Sequence, residues 1–235
     1  MAVSNPTQLT TKKEAPAGTT TTTSAVAPNT GDLLLVRVAA WQFPTGFPAT
    51  GVTWNGIALT LAVQKTGAGT QAKRNDTSVW YLQVATGASA TVIVTFTGTN
   101  FVVFVEVETY TGFNTTTPIG ATNTTEQENG SGVAPSLAVA TSSGDMAVDA
   151  LGSESGVAAN VTIGAGQTLS YQDDDANSVG SFSYEAATGA SVTMSWGFLV
   201  LDRNYTYCAA VIQQAAAGGQ VPYSPWQQRG PVVAQ

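Results

Sequence analysis

Two carboxylates two residues apart, Glu106 and Glu108, are the pair in this sequence best placed to do chemistry. They alternate with Val103, Val105 and Val107, so on a strand both leave the face opposite the valines, roughly 7 Å apart along the backbone. That spacing falls within the range of about 5 to 9.5 Å that separates the paired acids of glycosidases. Neighbours on one strand face share a direction, however, whereas paired glycosidase acids approach the sugar from different sides. A solvated outer face accounts for the alternation in full, and no catalytic residue is expected.

Asp173, Asp174 and Asp175, with Asn177, offer oxygens to a Ca²⁺ ion, which takes six to eight of them. The glycine and the distant glutamate of an EF-hand loop are missing, so a polar hairpin tip is expected, with no metal. The chain has no histidine and one cysteine, Cys208, which excludes disulfides within the chain, His/Cys zinc sites and imidazole-activated nucleophiles. Cys208 lies among apolar residues and reads as a small hydrophobe of the core. No cofactor is expected.

The elements that position these residues are β-strands. Lys and Arg number 8 against 15 Asp and Glu in 235 residues, a net charge of −7, so the electrostatic attraction that nucleic acid requires is missing. Charged residues are 10% of the chain, against roughly 25% in an average soluble protein, and the 35 threonines favour strands over helices. No basic stretch leads into an apolar run at the N-terminus, and no apolar run reaches 18 residues. Neither a signal peptide nor a membrane span is expected, and the reading is of a soluble chain.

The strands recur. Ala85-Thr86-Gly87-Ala88-Ser89 returns as Ala187-Thr188-Gly189-Ala190-Ser191, an offset of 102, with Trp80-Tyr81-Leu82 facing Phe182-Ser183-Tyr184 at the same spacing. Gly31-Asp32-Leu33 pairs with Gly144-Asp145-Met146, and Val52-Thr53 with Val161-Thr162, in the same order. Four ordered matches point to an internal duplication, with half repeats at about 19–112 and 133–214. Strands are expected near 20–26, 32–40, 52–54, 59–65, 78–84, 90–97 and 101–110, then near 135–140, 145–151, 161–163, 168–173, 180–185, 191–197 and 205–213. Asn55-Gly56 suits a type I′ hairpin turn, where both central residues need positive φ. One antiparallel two-sheet sandwich of jelly-roll type, to which both halves contribute strands, is favoured over two tandem sandwiches.

Three segments stand outside this series. Residues 1–18 form an N-terminal arm and 215–235 a Pro-rich extended tail, neither of which is expected to complete a strand ladder. In the tail, Tyr223, Trp226 and Arg229 are of the types that anchor interfaces, so the tail either lies on a neighbouring subunit or is disordered. The third segment is the loop that holds Trp41, Phe43 and Phe47 together with Pro44 and Pro48, with no aromatic counterpart in the second half. It reads as a lid over one end of the sandwich, a subunit interface, or a platform for stacking on sugar.

The strand starts at Gly31 and Gly144, the Val-Thr-Trp-Asn-Gly turn from Val52 and the Trp-Tyr-Leu strand at Trp80 resemble a family of Thr-rich β-sandwich proteins of tailed-phage virions and bacterial surfaces. The resemblance runs from about Thr19 to Gln213. It implies a sandwich without enzymatic activity, and the arrangement is similar to phage capsid decoration (cement) proteins. The expectation is a virion structural protein on the capsid surface, assembled in the cytoplasm of a bacterial host. The major capsid protein is its expected partner and a homotrimer its expected assembly, with neither nucleic acid nor membrane bound. The alternative is a carbohydrate- or receptor-binding module of a phage tail or bacterial surface.

Overall fold

In the computed structural model, residues 1–15, 17–42, 47–68, 74–127, 133–154, 157–199 and 204–216 are described. The first half runs β1 (Thr7–Glu14), β2 (Thr20–Val26), β3 (Leu33–Gln42), β4 (Ala49–Trp54), β5 (Ile57–Ala58), β6 (Thr60–Thr66), β7 (Arg74–Gln83), β8 (Ala90–Phe96) and β9 (Val102–Tyr110). The second half runs β10 (Ile119–Gln127), β11 (Ser136–Ala140), β12 (Met146–Ser153), β13 (Val161–Ile163), β14 (Thr168–Asp175), β15 (Ser178–Ala186), β16 (Ser191–Phe198) and β17 (Tyr205–Ile212). The fold is all-β and sandwich-like, and every ladder is antiparallel.

Sheet order repeats between the halves. The first half holds a five-stranded sheet β1-β9-β3-β7-β6 and a four-stranded sheet β2-β8-β4-β5. The second holds β10-β17-β12-β15-β14 and a three-stranded sheet β11-β16-β13. Each half therefore closes its own sandwich. The two five-stranded sheets then pack on one another, giving four layers where the expected arrangement had two sheets shared between the halves. Three apolar clusters fill the three gaps between layers, with Leu34 and Trp54 in the first, Leu33 and Met146 in the central seam, and Leu151 and Trp196 in the third.

Residues outside the expected series supply two of the strands. Lys12 and Lys13, placed in the arm, lie in β1, which pairs with β9 from Thr7 to Glu14. The connection between the half repeats, from 112 to 133, for which no strand is expected, contains β10, which pairs with β17 in the same way. Both are sheet-edge strands built of Thr, Lys, Gln and Asn, so apolar alternation does not mark them.

The register of the repeat also differs by one residue in one strand. Leu33 sits opposite Gln83, and its counterpart Met146 sits opposite Ala186, an offset of 103. Tyr184 thus corresponds to Tyr81, while Phe182 corresponds to Val79 and shares its central cluster; Trp80 packs in the outer one. A one-residue slip moves a side chain to the other face of the sheet. At the hairpin between β4 and β5, Asn55 and Gly56 have φ of 51° and 73°, as the type I′ reading requires.

Candidate functional site

Glu106 and Glu108 do point away from the valines of β9, but that face looks into the central seam. Val103, Val105 and Val107 pack against the outer sheet, and both glutamates are 0% exposed beneath the second half. The expected solvated face does not exist, because the second sandwich covers it.

Arg37 on β3 stands opposite Glu106 in the ladder. Its Nη2 donates to Glu106 Oε2 at 2.6 Å, to the Glu108 carboxylate at 3.0 Å and to Ser170 Oγ at 2.6 Å. From Nη1 it donates to the carbonyl oxygens of Asp149 and Ser183, both in the second half. Gln8 donates to Glu106 Oε1 at 2.6 Å, Ser170 Oγ to Glu106 Oε2 at 3.0 Å, and the Tyr110 hydroxyl to Glu108 at 2.7 Å. Every carboxylate oxygen of the pair is engaged. The guanidinium also lies 5.4 Å from the ring centre of Phe182, in cation–π range.

One cation thus serves two acids out of reach of water. Burial, reinforced by the neighbouring Glu106, pushes Glu108 up to about 7 against the opposing pull of Arg37. Burial works to lower Arg37, but Glu108 and Glu106 outweigh it, so the guanidinium is held above its ordinary value and stays charged. Tyr110 is raised by burial and by Glu108.

Asp149 on β12 points to the other side of its sheet and accepts five hydrogen bonds. Ser183 donates from N and Oγ at 2.8 Å each, Trp196 Nε1 at 2.9 Å, the Tyr207 hydroxyl at 2.7 Å and Gln167 Nε2 at 3.3 Å. Burial still lifts it to about 6. In the first half, Asp76 is 1% exposed and accepts from Thr66 Oγ1 at 2.5 Å and Gln64 Nε2 at 3.2 Å; burial pushes it to about 7.

Other expected site residues fall as follows. Trp41 is 5% exposed and meets Phe101 edge-on at 5.5 Å, and Phe47 packs on the outer cluster. Trp41 belongs to β3 and to the central cluster, so it and Phe47 pack on different clusters and share no exposed plane. Phe43 and the tail residues Tyr223, Trp226 and Arg229 lie outside the described residues. The three aspartates diverge, Asp173 toward Lys13, Asp174 toward the Ala158 N–H and Asp175 toward the Ala176 N–H. Among the described residues no cluster of three potential metal-ligating side chains occurs. Cys208 is fully buried, its thiol pushed up by burial to about 12.

Arg37, Asp149 and Asp76 were not singled out from the sequence. A signal for the first existed: Leu33-Leu34-Leu35-Val36-Arg37-Val38-Ala39-Ala40 is apolar at every position but one, the mark of a strand buried on both faces. A charge inside such a run needs a buried partner. Two clefts of about 220 and 280 Å³ occupy equivalent places beside Asp32 and Asp145, whose carboxylates accept the Asn29 and Ser142 N–H groups of the turns preceding β3 and β12. Arg37 and Asp149 link neighbouring layers, while Asp76 is bonded within its own sheet. No family model, curated protein or solved structure matches the chain.

Proposed function

We propose that this chain is a non-enzymatic structural protein of a phage virion, a decoration protein that docks on the capsid shell and bridges neighbouring subunits. One observation carries the reading. The seven strands of the two outer sheets, β2, β4, β5 and β8 on one side and β11, β13 and β16 on the other, contain no Asp, Glu, Lys or Arg. Their outward positions are held by Thr20, Thr22, Ile93 and Thr95 on one face and by Ser136, Ala138, Ser191 and Thr193 on the other. The chain's 23 formal charges, 8 + 15, lie elsewhere.

Such faces suit a static interface. Docking them buries no charge, which would cost several kcal/mol per unpaired ion, and Thr, Ser and Ala lose little side-chain freedom compared with Lys or Glu. Hydroxyls still supply hydrogen bonds. Because the faces lie on opposite sides of a four-layer body, one chain can touch two neighbours at once, and binding only the closed shell stabilises that shell by mass action. The resemblance to decoration proteins names the major capsid protein as the partner and a local three-fold point as the place.

The test uses shells assembled without the chain. Added wild-type protein should co-sediment with them and raise the temperature at which they open. Thr22→Glu/Thr95→Glu and Ser136→Glu/Thr193→Glu each place acids on one face and should reduce binding without changing the melting temperature of the free protein. Equal binding by both variants, or no binding by the wild type, overturns the proposal. A glycan-array signal from the free protein would favour the receptor-binding alternative.

A further inference from the structure

The central seam repeats one row of residues in each half, with opposite content. Across the first inner sheet the row reads Lys13, Phe104, Ala39, Thr77 and Lys65, each opposite the next in the ladders. Across the second it reads Glu126, Thr206, Gly152, Gly180 and Asp173, at the equivalent ladder positions. The sheets stack with strand order reversed, so the first row meets the second end to end. Lys13 Nζ lies 3.0 Å from Asp173, and Lys65 Nζ lies 2.9 Å from Glu126. Phe104 occupies the space above Gly180, where an added Cβ would fall 2.4 Å from its ring, and Gly152 lies under Ala39 and Thr77.

Pairing either row with a copy of itself fails. Two first rows would bring Lys13 against Lys65 twice and Phe104 against Thr77, which has the Cβ that Gly180 lacks. Two second rows would bring Glu126 against Asp173 twice and leave Thr206 over Gly180 with the phenyl space unfilled. A duplicated chain whose halves are alike in fold faces this risk directly, because each half presents an inner sheet of the same shape. One residue pair further along the strands, Arg37 reaches across to the carbonyl oxygens of Asp149 and Ser183 in the second half, beside its own counterpart in the repeat, Ala150. Two first halves would oppose two arginines there.

We infer that the seam is a joint coded in charge and in shape for the first half against the second, so that the partner this surface fits is the opposite half and never its like. Specificity of this kind comes from repulsion between wrong partners as much as from attraction between right ones. The four charged positions lie at the rim of the seam, where pairs are partly exposed, and they set register and partner choice more than stability.

The full-length chain tests both parts. Lys13→Glu/Lys65→Glu makes the rim wholly acidic and should lower the melting temperature by several degrees, an effect that shrinks in 1 M salt. Adding Glu126→Lys/Asp173→Lys restores opposite charges with the signs exchanged and should recover most of the loss. For shape, Gly180→Thr should lower the melting temperature strongly, and Phe104→Thr in the same chain should recover part of it, since it recreates the Thr77 and Thr206 combination of the other side. Light scattering on each variant reports the oligomeric state, and the wild type and both rescued chains should give the same one. An unchanged melting temperature in the first variant, a quadruple variant no better than the double, or strictly additive losses for Gly180 and Phe104 would overturn the inference.

Discussion

Arg37 and Ser183 are joined across the seam: Nη1 of the arginine, rooted in the first sandwich, donates to the serine's carbonyl oxygen in the second at 2.6 Å. The same guanidinium pairs with both glutamates of its own sheet. One side chain thus contacts both acids of one half while tying that half to the backbone of the other.

Arg37→Ala should accordingly destabilise by about 3–5 kcal/mol, because it strands two buried carboxylates. The quadruple variant Arg37→Met/Glu106→Leu/Glu108→Leu/Tyr110→Phe removes every charge and the hydroxyl at similar volume. Its denaturant midpoint should return close to the wild-type value or exceed it, since apolar packing often matches a buried ion cluster. A quadruple variant as weak as Arg37→Ala would show that the network itself, rather than the avoidance of unpaired charge, holds the seam.

Asp149 gathers donors from Ser183, Gln167, Trp196 and Tyr207. Asp149→Ala leaves several of them buried without an acceptor, and each such group costs about 1–3 kcal/mol. Urea unfolding should show a loss of at least about 3 kcal/mol, with a change in the near-ultraviolet circular dichroism of Trp196. Asp149→Asn keeps one acceptor oxygen and should lose less. Equal losses for the two would mean that charge, not hydrogen bonding, is what the donors require.

The strands were legible where residue pattern alone decides them. Buried apolar residues at every second position mark β8 and β16, and the Asn55-Gly56 turn fixes its hairpin. The edge strands β1 and β10 were not legible, because one-sided polar strands of Thr, Gln and Asn look like linkers until a neighbouring strand is known. The direction of Glu106 and Glu108 followed from period-two geometry, but what lay in that direction depended on the second sandwich, whose Ser170 is 64 residues from Glu106 in sequence. That kind of information resides in the stacking of sheets. Only the near-continuous apolar runs of β3, β9, β12 and β17 hinted that both faces of the inner sheets are covered.

Trp41 separates a lid from a platform. It is buried against Phe101, so Trp41→Ala should cost about 3–5 kcal/mol, as removal of a buried indole does. Trp41→Phe, which keeps an edge-to-face contact, should cost less than half of that. A sugar platform would behave otherwise, with unchanged stability and lost retention on a polysaccharide column.

Stability should fall as pH rises from 5 to 8. Burial raises Glu108 and Asp76 to about 7, and Asp149 to about 6, each from an ordinary carboxylate value. Near pH 4 and below, the folded and unfolded chains both hold these protons and the groups contribute no difference. Between about pH 4 and 7 the unfolded chain has released protons that the folded chain retains, so each step upward favours unfolding, and the effect levels off above pH 7. Each pKa unit corresponds to about 1.4 kcal/mol, so three raised groups make a decline of a few kcal/mol. Asp76→Asn and Glu108→Gln, neutral at every pH, should each flatten the profile, and at pH 8 either should equal or exceed the wild type in urea midpoint. The Glu108 variant has a further reason to do so, since it leaves Arg37 with Glu106 alone, one cation to one anion. A midpoint that rises between pH 5 and 8, or profiles of both variants parallel to the wild type, would mean that these carboxyls are ionised in the folded protein and that the seam compensates their charge more fully than one arginine can.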